Sequence, residues 1–291
     1  MGINSVLVVG SGLMGSGIAQ VCAQAGIQVF LNDMSEEALE RARGNIAWSV
    51  GKFIEKGKLQ EERDVIMNRI TTTASLDAVG DVDLAIEAVF EKIEVKHEIF
   101  KKLDQGLPAK TLIASNTSAI PITELAAVTE RPEQVLGLHF FSPVPMMAAV
   151  EVIKGIATSD ETAQSGREFV LKIGKEPITV NRDVAGFVIN RINFPSIIEA
   201  MNLVEAGVAT VEDIDKGLRL ASGRKMGIFE TGDMVGLDVT YGGMTAMYQE
   251  TGDSRFYPPL LLRRKVKAGH LGRKTGRGWY RYDENGNRID N

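Results

Sequence analysis

Val6-Leu-Val-Val-Gly-Ser-Gly-Leu-Met-Gly15 is the stretch that decides how this chain folds. A short β-branched apolar run passes directly into G-x-G-x-x-G, and Gly15 to Ala25 continues as an apolar helix stopped by Gly26. Gln28 to Asn32 then reads as a second strand, and Asp33 follows it, 18 residues after Gly15. The glycine motif alone is a weak signal. Strand, glycine loop, helix, strand and carboxylate in that order form a far stronger one. Gly10 permits a tight turn, Gly12 lets a pyrophosphate approach the backbone, and Gly15 lets the helix pack close to the strand. The helix N-terminus adds free N–H groups and the positive end of its dipole. Gly10, Ser11, Gly12, Leu13, Met14 and Gly15 are therefore candidate dinucleotide contacts, with Asp33 as the ribose carboxylate. A carboxylate there repels a 2′-phosphate, so NAD is expected ahead of NADP. FAD is a lesser rival for the same fingerprint, and a structural glycine turn beside a solvated Asp33 is the bland alternative.

Outward from this unit the pattern repeats. Further strands are expected at Ile70–Thr73, Leu84–Val89, Thr111–Ser115, Val135–Phe141, Ala148–Ile153 and Pro177–Val180. Helical stretches separate most of them: Ser35 to about Lys56, opened by Glu36 and Glu37, then Lys92 to Leu103 and Glu161 to Ile173. The rhythm predicts an α/β fold, a Rossmann-type, mostly parallel sheet with helices on both faces. The proline-bounded turn at 142–147 breaks it, so the last strands are expected to be antiparallel additions. After about residue 183 the strand pattern stops. Helices are expected at Gly186–Glu205, with Pro195 inside, after a Thr210 cap, and near Asp238–Gln249 and Pro259–Lys267. Two domains follow: a dinucleotide-binding domain over 1–183 and an all-helical one over 184–291.

The net charge of −5 over 291 residues gives no reason to expect nucleic acid or an acidic membrane surface as partner. No run approaches the ~20 apolar residues of a membrane span. No basic leader precedes the first strand, and the lone Cys22 lies in an apolar helix, so a cytoplasmic protein is expected.

Gly137-Leu-His-Phe-Phe-Ser-Pro-Val-Pro-Met-Met-Ala-Ala-Val-Glu-Val-Ile153 is the stretch that carries chemistry. His139 lies six residues before Pro145 and Glu151 six after it, so a hairpin centred there sets the two side chains opposite each other. A histidine facing a carboxylate in apolar surroundings is a general base with its orienting partner. A core histidine satisfied by a glutamate is the bland alternative. Of the two other histidines, His97 sits on a charged helical face, expected to be exposed, and His270 lies near the C-terminal glycines.

Several motifs in order carry a family resemblance over nearly the whole chain. They are the glycine loop, Glu87-Ala-Val-Phe-Glu91, Ala114-Ser-Asn-Thr-Ser118, Leu138-His-Phe-Phe141, Pro143-Val-Pro145, Val150-Glu-Val-Ile153, Gly186-Phe-Val-Ile-Asn-Arg191, Val235-Gly-Leu-Asp238 and Gly272-Arg-Lys-Thr-Gly276. The sequence resembles the L-3-hydroxyacyl-CoA dehydrogenase family, most of all its bacterial 3-hydroxybutyryl-CoA dehydrogenases. The resemblance implies NAD-dependent oxidation of a (3S)-hydroxyacyl-CoA to the 3-oxoacyl-CoA, a His139–Glu151 catalytic pair, and a homodimer formed through the helical domain. It implies that Ser118 and Asn190 reach the substrate, and that Glu91, Lys96, Ser118 and Lys274 line the cofactor. It also places Ser49 and Lys56, two helical turns apart, on CoA. Residue by residue the bland alternatives are an N-cap for Ser118, a helix–helix hydrogen bond for Asn190, and solvated charges for Lys96 and Lys56. The family commonly has Asn after His-Phe-Phe, on the cofactor side; the shorter Ser142 stands there and is expected to meet the cofactor through water. Two rivals remain: a dehydrogenase of a free hydroxy acid, and a nucleotide-binding sensor without turnover.

Overall fold

The computed structural model describes residues 2–289, which divide into two compact units, one ending at Phe187 and one beginning at Val188. In the first unit the elements run β1 (Ser5–Val9), α1 (Leu13–Gln24), β2 (Gln28–Asn32), α2 (Glu36–Glu55), α3 (Arg63–Met67), β3 (Ile70–Thr73) and β4 (Leu84–Glu87). They continue with α4 (Ile93–Gly106), β5 (Leu112–Ser115), α5 (Ile122–Ala126), β6 (Val135–Phe140), β7 (Ala149–Lys154), α6 (Asp160–Lys172) and β8 (Glu176–Val180). All eight strands form one sheet in the order β3-β2-β1-β4-β5-β6-β7-β8. β1 to β6 are mutually parallel, β7 runs antiparallel to β6, and β8 is parallel to β7. The expected antiparallel additions are thus the last two strands.

Both faces of the sheet are covered, which is why β1 and β4 read as continuous apolar runs. Val6, Val8, Val29, Leu31, Leu136, Leu138 and Val152 share one core with Ile18 of α1, Ile46 of α2 and Phe169 of α6. The opposite face meets α5, where Ile122 packs directly over Gly137 beside Ile153. Side chains alternate across a strand, so His139 and Glu151 lie on the face of Gly137 and Ile153. The ladder pairs His139 with Glu151 and Gly137 with Ile153. A one-residue slip of β6 against β7 would put His139 into the other core, so this packing fixes the pair.

The helix starts are locally encoded. Ser35 accepts the Ala38 N–H at 3.2 Å, with Glu36 and Glu37 in the first turn of α2. Ser159 caps α6 in the same way.

The second unit holds α7 (Ile189–Glu205), α8 (Val211–Ser222), α9 (Ile228–Val235), α10 (Leu237–Thr251) and α11 (Leu260–Lys267). Pro195 lies inside α7, and the Thr210 side chain caps α8 by accepting from Asp213 N–H at 3.1 Å. The unit is helical with one addition to the all-helical expectation. Two-residue strands β9 (Arg281–Tyr282) and β10 (Arg288–Ile289) pair antiparallel near its end. Their turn is made by Asp283, which accepts N–H bonds from Asn285 and Asn287, and by Gly286 at φ +76°. Among the described residues no helix is long and apolar enough to cross a membrane.

Candidate active site

The glycine loop sits where strand order reverses between β1 and β4, at the carboxyl ends of the parallel strands, where open α/β sheets bind ligands. Gly10 has φ +101°, and its N–H donates to the Asn32 carbonyl at 2.8 Å. A Cβ on Gly10 would come 2.7 Å from the Ala88 carbonyl oxygen, and one on Gly15 would run into the Gly10 carbonyl. No atom lies within 4 Å of where a Cβ on Gly12 would stand. Gly12 caps α1, Leu13 is exposed beside it, and Met14 packs on the core. The loop is therefore held tightly from below and open above, which fits a pyrophosphate laid over the backbone of 11–13.

Asp33 is docked to the same loop. One carboxylate oxygen accepts the Ser11 N–H at 2.9 Å and the Ser11 hydroxyl at 2.8 Å, and the other accepts the Ser35 N–H at 3.1 Å. Partial burial opposes its ionisation, but the donors of Ser11 and Ser35 outweigh that and hold the carboxyl below its ordinary range. An ionised acceptor at the end of β2 fits a ribose diol.

A charged network fills the ends of β4 and β5. Glu87 is fully buried and accepts from Val89 N–H at 2.7 Å, Ser115 hydroxyl at 2.6 Å and Lys96 ammonium at 2.6 Å. Lys96 also meets Glu91 at 3.1 Å. Glu91 in turn accepts the Ser118 N–H at 2.9 Å, the Ala119 N–H at 3.3 Å and the Thr117 hydroxyl, which fixes the loop carrying Ser118. Partial burial works against the charge on Glu91, but Lys96 and these donors prevail and keep it below the usual carboxylate range. The bland alternative of a solvated Lys96 is excluded: its side chain is 1% exposed.

His139 stands next to this loop. Its Nδ1 lies 2.7 Å from Glu151 Oε2, and its Nε2 lies 3.2 Å from Ser118 Oγ. Glu151 is fully buried and His139 nearly so. The rings of Phe141 and Phe187 contact the imidazole, with centroids 4.7 and 5.6 Å away. Asn116 reaches across from the end of β5 to accept the Phe140 N–H at 2.9 Å, tying the two strand ends together. A carboxylate on Nδ1 sets the tautomer that leaves Nε2 as the acceptor. The arrangement can take a proton from a hydroxyl placed near Ser118 and return it.

The structure thus gathers Glu91, Lys96, Ser118, His139 and Glu151 into one cluster, with Gly10–Gly15 and Asp33 beside it along the strand ends. Ser142 lies two residues past the end of β6 and is half-buried. Ser49 is half-buried on α2 and Lys56 is exposed at its C-cap, on one helix face but with no bond to this cluster. Asn190 lies in the first turn of α7 and Lys274 pairs with Asp238 at 2.7 Å, both in the second unit. His97, expected exposed, is half-buried, and its Nε2 has no hydrogen-bond partner. Sequence reasoning gave no site role to Glu87, Ser115, Asn116 and Thr117. A carboxylate closing the apolar run Leu84-Ala-Ile-Glu87, and a polar run starting where a strand ends, were the signals available.

Comparison with known proteins agrees with this geometry. Residues 5–184 match the family model described as 3-hydroxyacyl-CoA dehydrogenase, NAD binding domain, and residues 186–282 match that family's C-terminal domain. A Deinococcus radiodurans protein named probable 3-hydroxybutyryl-CoA dehydrogenase is 45% identical, covering 94% of this chain and 99% of its own. The crystal structure of (S)-3-hydroxybutyryl-CoA dehydrogenase from Ralstonia eutropha superposes with a TM-score of 0.90 at 42% identity, covering 97% of this chain and 100% of that one. Mycobacterium tuberculosis FadB2 superposes with a TM-score of 0.93 at 41% identity over 97% and 100% of the two chains. With both domains matched in order and relatives similar along nearly their full length, the chain belongs to the 3-hydroxyacyl-CoA dehydrogenase family.

Proposed function

We propose that this protein uses NAD to oxidise (3S)-3-hydroxyacyl-CoA, with 3-hydroxybutyryl as the preferred acyl group, to 3-oxoacyl-CoA, and runs the reverse reduction with NADH. The observation that carries the reading is the buried His139 held between Glu151 and Ser118 at the carboxyl edge of the sheet. His139 Nε2 takes the proton of the 3-hydroxyl, while Glu151 holds Nδ1–H and stabilises the imidazolium that forms. When bound, NAD supplies the acceptor for the hydride that leaves C3. Ser118 donates a hydrogen bond to the same substrate oxygen. In the reducing direction His139 returns its proton to the 3-oxo oxygen.

Gly10 to Gly15 hold the pyrophosphate, Asp33 the adenosine ribose, and Glu91, Lys96 and Lys274 the nicotinamide end. Asn190 takes the substrate, and Ser49 and Lys56 take CoA. For position 142 we infer a contact through water, because serine is too short for the direct one. We further infer a cytoplasmic homodimer. The buried, unpaired Cys22 fits a reducing compartment. Ile192, Val208, Leu220 and Val239 leave apolar surface exposed on the second unit, where the two copies would meet.

The test is NADH formation, followed by its near-ultraviolet absorbance, from NAD and (3S)-3-hydroxybutyryl-CoA, with the (3R) form as control. Turnover of the S form alone is expected. Turnover of a free hydroxy acid and of no thioester would overturn the reading.

A further inference from the structure

Phe187 is the one non-glycine residue with positive φ among the described residues, at +48°, directly after Gly186 at +75°. Left-handed backbone crowds the Cβ of an L residue, so glycine or asparagine normally stands in such a place. A bulky aromatic persists there only when the surroundings compensate for the strain. Here they do so by enclosing the ring. Phe187 is 1% exposed, and its ring lies 5.6 Å from the His139 imidazole, tilted by 57°.

The segment leading to Phe187 is itself anchored. Asp183 accepts the Thr123 N–H at 2.6 Å at the start of α5, and the Phe187 N–H donates to the Val184 carbonyl at 2.9 Å. This turn delivers the ring to the imidazole from the far end of the sequence of the first unit.

We propose that Phe187 is a positioning residue for His139, kept in a strained conformation because its ring walls the imidazole. Glu151 and Ser118 fix the imidazole through its two nitrogens, and Phe141 already lies against it at 4.7 Å. Without Phe187 that wall opens. Water then reaches the ring, and the imidazole gains freedom to leave the orientation in which Nε2 faces Ser118. The proposal rests on the functional reading above, so its test uses one readout that needs no substrate.

Phe187→Gly removes the ring and relieves the backbone strain together, whereas Phe187→Leu keeps apolar volume without a planar ring. In proteins labelled with nitrogen-15 at histidine, the Nδ1–H resonance of His139, assigned by its loss in His139→Gln, is expected to be sharp and slow to exchange in the parent protein. In Phe187→Gly it is expected to broaden or vanish through exchange with water. In parallel, kcat falls about tenfold or more in the glycine variant and less in the leucine variant, while NADH affinity stays within about twofold of the parent. An unchanged His139 resonance with kcat within about twofold overturns the proposal. So does loss of folding in both variants, which assigns Phe187 to structure alone. A parent protein that turns over no hydroxyacyl-CoA would defeat the functional reading, and the resonance would still decide the role of Phe187.

Discussion

The two carboxylates that matter most to this site are used in opposite ways. Glu151 is fully buried against His139 and, in the proposed mechanism, acts on the chemistry. Asp33 is partly exposed, docked on Ser11, and in the proposed reading acts on selection. With the adenosine ribose bound there as proposed, its ionised state would put negative charge where a 2′-phosphate would have to lie. Asp33→Ala should therefore lower the ratio of kcat/KM with NAD to that with NADP, by about tenfold or more for the loss of one charged hydrogen bond. A ratio unchanged from the parent would mean that Asp33 does not read the ribose. Both residues were legible in the sequence, because each is fixed by a spacing: Asp33 by its distance from Gly15, Glu151 by its mirror position to His139 about the turn. Phe187 was not legible, since nothing in Gly186-Phe-Val announces which residue takes the left-handed conformation. Glu87 was visible only as a polar residue ending an apolar strand.

The element α4 brings a lysine to the buried end of β4, between Glu87 and Glu91. Its apolar stripe runs Ile93, Phe100 and Leu103, and Lys96 falls on that stripe, three residues after Ile93 and four before Phe100. Helical spacing thus held the signal that Lys96 is buried; the surrounding charges Glu94, Glu98 and Lys101 hid it. Lys96→Met leaves Glu87 buried without its cation, a loss worth about 3–5 kcal/mol, readable as a lower midpoint in urea. Lys96→Met combined with Glu87→Gln should recover much of it. A single variant within about 0.5 kcal/mol of the parent would show that the pair carries no such weight.

The network also has a pH signature. The folded-state pKa of Glu91 is depressed, so its stabilising contribution is fully present above the ordinary glutamate value of about 4.3 and is lost as pH falls through the lower folded value. Amide exchange at Ser118 and Ala119, corrected for intrinsic rates, should stay protected from neutral pH down to about pH 5. Loss of protection already near pH 6 would contradict the role given to Glu91.

For the whole molecule, the parallel order of the first six strands and the helical second unit could be read from alternation and periodicity. The two-residue ladder of β9 and β10 could not, because such short pairing leaves no period to count. The second unit carries exposed apolar side chains, Ile192, Leu220 and Val239 on three of its helices and Val208 in the turn between α7 and α8. A homodimer through this unit should give a sedimentation mass of two copies, shifted toward one copy by Leu220→Lys. A monomer at micromolar concentration would remove the dimer from the account. The central claim, that His139 moves the proton when a hydroxyacyl-CoA is oxidised, is tested most directly by kcat and NADH affinity measured on the same preparation of His139→Ala. The account predicts a fall in kcat of about 10²–10⁴-fold with NADH binding nearly intact. A kcat within a few-fold of the parent would contradict it.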